Sequence, residues 1–193
     1  MKKILIVGAN GQLARHTTVR LLAETDARLT LFLRRASRLP NPDPARVTII
    51  EGDATHEAAL TAAMQGQDVV YTNLAGAMEQ QANAIVGAMH KAGLKRLIFI
   101  SSMGIYSEVP GESYRSVLDP YRDSAAVIEA SDLEYTILRP GWFNQNSTAD
   151  YTITQKGEPF KGHDVSMNSL ADLITKLCLS PSLYVRSSLG VSN

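Results

Sequence analysis

The chain has 193 residues, enough for one domain with a full hydrophobic core. Its 19 basic and 19 acidic residues cancel, so no global field draws it to nucleic acid or to an anionic membrane. The lone cysteine, Cys178, cannot form an internal disulfide, and His16, His56, His90 and His163 are too scattered for a metal site.

No stretch approaches the ~20 apolar residues of a membrane span, and the N-terminal apolar run is too short for a signal-peptide core. The expectation is a soluble, unprocessed, cytoplasmic protein of one domain over 1–193. Its predicted partner is a small molecule, with no nucleic acid, membrane or metal, and the sequence leaves the oligomeric state open.

Lys2 and Lys3 precede the apolar run Ile4–Val7, which reads as a central strand buried on both faces. The run stops at Gly8. Gly8 and Gly11 bracket a tight turn, and from Gln12 the apolar spacing becomes helical, so the glycines sit where a strand hands over to a helix. Glycine lets the backbone approach a pyrophosphate closely, and the helix that follows presents unpaired N–H groups and its positive dipole end. Gly8, Asn10, Gly11, Gln12 and Leu13 are therefore candidate phosphate contacts. The alternative is a Gly-rich turn in some other α/β protein; a Walker-type loop is excluded, since Gly11-Gln12-Leu13 stands where Gly-Lys-Ser/Thr is needed.

Further strands are predicted at Leu29–Leu33, Val47–Ile50, Val69–Thr72, Leu97–Ile100 and Tyr135–Leu138, and further helices at Ala58–Met64, Gln80–Lys91 and Ser124–Ala130. The link from the second strand to the third is Pro-rich (Pro40, Pro42, Pro44) and leaves room for at most a short turn of helix. Such alternation marks a doubly wound parallel sheet with helices on both faces, the α/β class with Rossmann order 3-2-1-4-5-6. Its strands present their C-terminal ends to the ligand.

Those ends carry the candidate residues. After the second strand come Arg34 and Arg35 with no acid, which favours the 2′-phosphate of NADP over the ribose hydroxyl of NAD, although NAD stays possible; a solvated basic turn is the alternative. After the third, Asp53 can accept from an adenine amino group or cap the following helix. After the fourth, Asn73, Ala75 and Gly76 are compact enough for a cofactor to cross the edge, as a plain turn also is. Ser101 and Ser102 put two hydroxyls after the fifth. After the sixth, Pro140 and Gly141 lead into Trp142 and Phe143, either a pocket wall or core. Tyr151–Phe160 reads as a loop or lid, Leu170–Leu179 as the last helix and Tyr184–Val191 as an edge strand. The C-terminal part, about 141–193, is expected to form the substrate side.

Taken together, these residues resemble an atypical short-chain dehydrogenase/reductase of the NmrA-like or NAD(P)H-binding group that includes biliverdin reductase B and the flavin reductases. Ile6 to Arg15 is similar to the family's glycine motif, and Arg34 stands where its NADP-selecting arginine stands. Gly52-Asp53-Ala54-Thr55 resembles the adenine-contacting motif, bringing in Ala54. Phe99 to Tyr106 resembles the segment whose active-site serine maps onto Ser102. Leu133 to Gly141 resembles the strand and turn whose proline, here Pro140, contacts the nicotinamide side.

One departure stands out. The wider superfamily uses a Tyr with a Lys four residues on, which lowers the Tyr pKa, and none of the seven tyrosines here has that partner. Tyr106 is followed at that distance by Pro110 and Tyr121 by Ala125. Tyr106, expected to face the crevice, and Tyr121, expected near the ribose, remain the candidate catalytic tyrosines beside Ser102. The resemblance implies an NAD(P)H-dependent oxidoreductase passing hydride to a flavin, quinone or carbonyl acceptor, or alternatively a non-catalytic NAD(P)-binding redox sensor of the NmrA type.

Overall fold

Ile4, Leu5, Ile6 and Val7 are all fully buried. Ile4 and Ile6 enter one hydrophobic core and Leu5 and Val7 a second. A strand that buries both faces needs cover on both, and the rest of the chain supplies it. The computed structural model describes residues 1–193. Two helices, α1 (Gln12–Glu24) and α5 (Met167–Leu179), pack on the first core, while α2 (Glu57–Met64), α3 (Met78–Ala92) and α4 (Asp119–Ala130) pack on the second.

Between these layers lies an eight-stranded sheet. Its strands are β1 (Lys3–Val7), β2 (Arg28–Leu33), β3 (Val47–Glu51), β4 (Val69–Thr72), β5 (Arg96–Ile100), β6 (Glu134–Pro140), β8 (Thr152–Gln155) and β10 (Ser187–Ser192). The order is β3-β2-β1-β4-β5-β6-β10-β8. The first six reproduce the expected order, all parallel. A separate parallel pair, β7 (Trp142–Asn144) with β9 (Asp164–Ser166), stands outside the sheet.

The β2–β3 connection carries only a short 3-10 turn, Ala36–Arg38, as its prolines require. Arg46, just before β3, secures it. The guanidinium donates to the carbonyls of Leu22 at 2.8 Å, Thr25 at 2.6 Å and Ala27 at 3.0 Å, occupying acceptors that the end of α1 leaves open.

Two expectations at the C-terminal end are corrected. The strand near Tyr184–Val191 is not an edge: β10 lies between β6, to which it is parallel, and β8, to which it is antiparallel. Leu189 and Val191 are fully buried in the α1–α5 core, which an edge strand with one open side does not require. The segment Tyr151–Phe160 is no lid, because β8 within it forms one edge of the sheet, opposite β3. Thr152-Ile153-Thr154-Gln155 holds one apolar residue, so its strand character comes from the β10 ladder and not from local pattern.

Cys178 is buried in α5, and that burial pushes its thiol up to about 12, so it packs and does not react. No helix is long and apolar enough to cross a membrane.

Candidate functional site

Two cavities open at the C-terminal ends of the strands. The first, about 540 Å³, lies over β1 to β4 and is lined by residues of the glycine turn, Arg34, Arg35, Arg38, Ala54, Asn73, Ala75 and Gln81. The second, about 220 Å³, lies over β5 and β6 and includes Ser102, Tyr121, Pro140, Gly141 and Trp142.

The glycine turn builds the floor of the first cavity. Gly8 holds φ at +80°, a conformation that side chains resist, and its N–H donates to the Phe32 carbonyl at 2.9 Å. Gly11 N–H closes the turn onto the Gly8 carbonyl at 3.1 Å. Asn73, its own N–H on the Val7 carbonyl at 2.9 Å, packs against both glycines. A Cβ on Gly8 would lie 2.0 Å from the Asn73 carbonyl oxygen, and one on Gly11 would lie 2.1 Å from Asn73 Nδ2. The glycines thus make room for β4's end as well as for a ligand.

No side chain caps α1, so the N–H groups of its first turn have no side-chain acceptor there, and its dipole is open to an anion. Gln12 is exposed at this end. Leu13, only 1% exposed, sends its side chain into the core and has just its backbone to offer. Asn10 is held by Arg15 Nη2, which donates to its Oδ1 at 2.6 Å.

Arg34, Arg35 and Arg38 line the same cavity, are exposed, and make no ion pair. Arg38 escaped the sequence reading because the 3-10 turn at Ala36–Arg38 folds it back toward Arg34. Gln81 from α3 escaped too, since nothing in its helical neighbours marks it.

Asp53 does not line the cavity. Its Oδ1 accepts from Thr55 N and Thr55 Oγ1, both at 2.8 Å. Those bonds, the backbone one first, hold its carboxyl below the usual range. These bonds shape the turn just ahead of α2 and occupy Oδ1 alone; the side chain does not cap α2, whose N-cap is His56. Ala54 lines the cavity instead. Gly76, at φ +85°, also stands outside the lining and turns the chain into α3.

In the second cavity Ser102 Oγ donates to the Met103 carbonyl at 3.1 Å. Ser101 lines neither cavity; it is buried and its hydroxyl donates to the Tyr121 carbonyl at 3.3 Å, tying β5 to α4. Tyr121 thereby keeps its ring on the cavity wall. Trp142 and Phe143 are 55% and 44% exposed, so they are not core; Trp142 lines the cavity and Phe143 does not.

Tyr106 corrects an expectation. Its ring sits between Arg139, 5.0 Å from the centroid, and Lys156, 4.4 Å from it. Its hydroxyl donates to Glu129 Oε1 at 2.8 Å and accepts from Ser188 Oγ at 3.1 Å, and burial pushes its pKa upward. It faces away from both cavities because these partners lie behind the loop that carries it. The wall between Ser107 and Leu118 was also missed, an irregular loop with no motif. Of the C-terminal part, only Gly141 and Trp142 reach this cavity, so residues 102–121 form most of its wall.

A family model described as NAD(P)H-binding matches residues 8–181. A Rossmann-fold NAD(P)-binding family protein from Shigella flexneri is 43% identical, with a TM-score of 0.88 over 100% of this chain and 94% of its own. A short-chain dehydrogenase/reductase from Veillonella parvula, solved in complex with NADP, is 30% identical, with a TM-score of 0.90 and the same coverage, 100% and 94%. Quinone oxidoreductase 2 of Escherichia coli is 25% identical over 150 residues, 76% of this chain and 51% of that protein. The chain spans about half the length of the curated relatives it matches.

Proposed function

The chain belongs to the NAD(P)H-binding family, and from that premise we propose an NADPH-dependent reductase that passes hydride to a planar acceptor, a flavin or a quinone. The carrying observation is the triplet of unpaired arginines, Arg34, Arg35 and Arg38, around a cavity that also receives the uncapped end of α1. Two anions are called for, one at the helix end and one at the arginines. A dinucleotide with a pyrophosphate and a 2′-phosphate fits both, and the Veillonella relative was solved with NADP.

Gly8, Gly11 and the first N–H groups of α1 would hold the pyrophosphate, and the three arginines the 2′-phosphate. Asn73 and Ala75 line the path toward the second cavity, where Pro140 and Gly141 meet the nicotinamide side. When bound, the cofactor supplies the hydride. Ser102 can turn its hydroxyl from the Met103 carbonyl to an acceptor oxygen or a water. Tyr121 offers a hydroxyl, and no lysine lies four residues on to make it acidic, so the acceptor's proton comes from solvent. The indole of Trp142 offers a flat apolar face, which suits a ring system better than a simple carbonyl.

Steady-state NADPH oxidation with flavins, quinones and small carbonyls tests this. Turnover is expected with the first two classes and not with the third. Tight NADPH binding with no turnover across all three replaces the reductase by the non-catalytic redox sensor.

A further inference from the structure

Arg139 is completely buried, and its ion-pair partner Glu108 is only 6% exposed. Every other ion pair in the chain has at least one partner more than a third exposed, except Arg20–Asp172 between α1 and α5, whose partners are still 19% and 12% exposed. Desolvating two charges is costly, and an apolar pair in the same place is often as stable, so the pair asks for a role other than packing.

Its hydrogen bonds suggest one. Glu108 Oε1 accepts from Arg139 Nη1 and, at 3.0 Å, from Gly104 N, while Oε2 accepts from Tyr106 N at 2.9 Å. Arg139 is anchored in turn on β10, its Nε donating to Ser188 Oγ at 3.0 Å and its Nη2 to the Ser188 carbonyl at 3.2 Å. A single carboxylate therefore reaches back over Ser107 to hold the backbone just before it, at Gly104 and Tyr106, and ties that backbone to the sheet.

Ser107 itself has φ +59°, left-handed for a residue with a Cβ. Such strain persists only where the surroundings over-determine it, and it clusters at functional sites. Ser107 is exposed, lines the acceptor cavity together with Gly104 and Val109, and its hydroxyl has no partner in the chain.

We infer that Ser107 is a second polar contact for the acceptor beside Ser102, and that Glu108 and Arg139 are positioning residues that hold it in its strained conformation. This rests on reading the second cavity as the acceptor site. Glycine tolerates a left-handed φ, so Ser107→Gly relieves strain while removing the hydroxyl. The variant is expected to melt at the same or a higher temperature, yet to bind riboflavin about three- to tenfold more weakly, the worth of one hydrogen bond. Riboflavin binding is read by quenching of Trp142, the chain's one tryptophan, with NADPH affinity unchanged.

Glu108→Gln keeps an acceptor for one backbone N–H and loses the other. Amide exchange at Gly104 or Tyr106 is expected to speed up about tenfold or more, with the β5 amides unmoved, and riboflavin affinity to fall as in Ser107→Gly. Unchanged exchange in Glu108→Gln, or riboflavin affinity that is absent or identical in wild type and Ser107→Gly, overturns the inference. Turnover is scored separately. Wild type that binds riboflavin in a Ser107-dependent way but does not oxidise NADPH fails the reductase reading alone, and wild type that turns over riboflavin with Ser107→Gly indistinguishable from it fails this inference alone.

Discussion

The cavity over β1 to β4 is shaped by main chain and rimmed by arginines, whereas the cavity over β5 and β6 is shaped by side chains that come together from widely separated positions. In the first, Gly8, Gly11 and Asn73 fix the floor by backbone contact, and Arg34, Arg35 and Arg38 follow one strand end within five residues. In the second, Ser102, Tyr121 and Trp142 meet only because β5 and β6 are neighbours and because a buried ion pair shapes the loop between them. A site for a constant ligand can be rigid and local. A site for a variable acceptor is assembled from parts that can change one at a time.

The largest expected effect tests the rigid half. Gly8→Ala must adopt φ +80° and drive its Cβ to 2.0 Å from the Asn73 carbonyl. Left-handed strain and overpacking together cost about 2–5 kcal/mol. The melting temperature should fall by about 5–15 °C and NADPH binding should be lost. A variant that melts with wild type would mean that this turn is as adaptable as the loop that follows β5.

Arg34→Ala comes next. A charge-assisted bond is worth roughly 1.5–3 kcal/mol, so calorimetric titration should show a loss of about tenfold to a hundredfold for NADPH and almost none for NADH. Arg35→Ala and Arg38→Ala should each lose less. Equal affinity of wild type for both cofactors would leave the arginines as a solvated turn and erase the contrast between the halves.

A smaller effect is expected in the assembled half. Tyr121→Phe and Ser102→Ala should each lower kcat by less than about tenfold, the scale of one neutral hydrogen bond, because no lysine activates either hydroxyl. A thousandfold loss in Tyr121→Phe with intact NADPH binding would reveal a general acid activated by a group distant in sequence. Tyr106→Phe should leave turnover unchanged, since that hydroxyl is committed to Glu129 and Ser188 behind the loop.

The smallest effect serves as a control at the opposite, N-terminal end of β5 and β6. Asp132, bonded first by Lys95 and then by His90, has its carboxyl lowered to about 2. A carboxylate whose folded pKa lies below its unfolded value, about 3.9, contributes stability above that value and loses it as pH falls toward about 2. The melting difference between wild type and Asp132→Asn should be small at pH 7 and vanish across that acid window. NADPH and acceptor binding should not respond at all.

Legibility in the sequence followed the same divide. The glycine turn, the strand ends and Arg34 could be read because each depends on residues close together in the chain, where steric and dipolar rules act at short range. Arg38 and Gln81 could not, since a 3-10 turn and a helix face bring them to the cavity. Asp53 was open between an adenine contact and a helix cap; the structure shows no cap at α2 and turns its Oδ1 onto Thr55 instead. Ser102, expected at the mouth of the crevice, and Tyr121, expected near the ribose, both line the second cavity, whereas Tyr106, expected to face the crevice, lines neither cavity, because which side of a loop a ring takes is set by the partners it finds there.

By itself the sequence determined the doubly wound sheet and its first six strands, since apolar runs on both faces admit no other cover than helices on both sides. It also determined the glycine turn between β1 and α1 and the lack of a lysine four residues after any tyrosine. Only the tertiary structure decided that β10 is interior and β8 an edge, that Tyr106 lines neither cavity, and that Glu108 and Arg139 pair beside the wall of the second cavity. A ladder, a buried charge and a cavity wall all join residues tens of positions apart, and no local pattern in the chain encodes which distant group a polar atom will meet once water has been excluded.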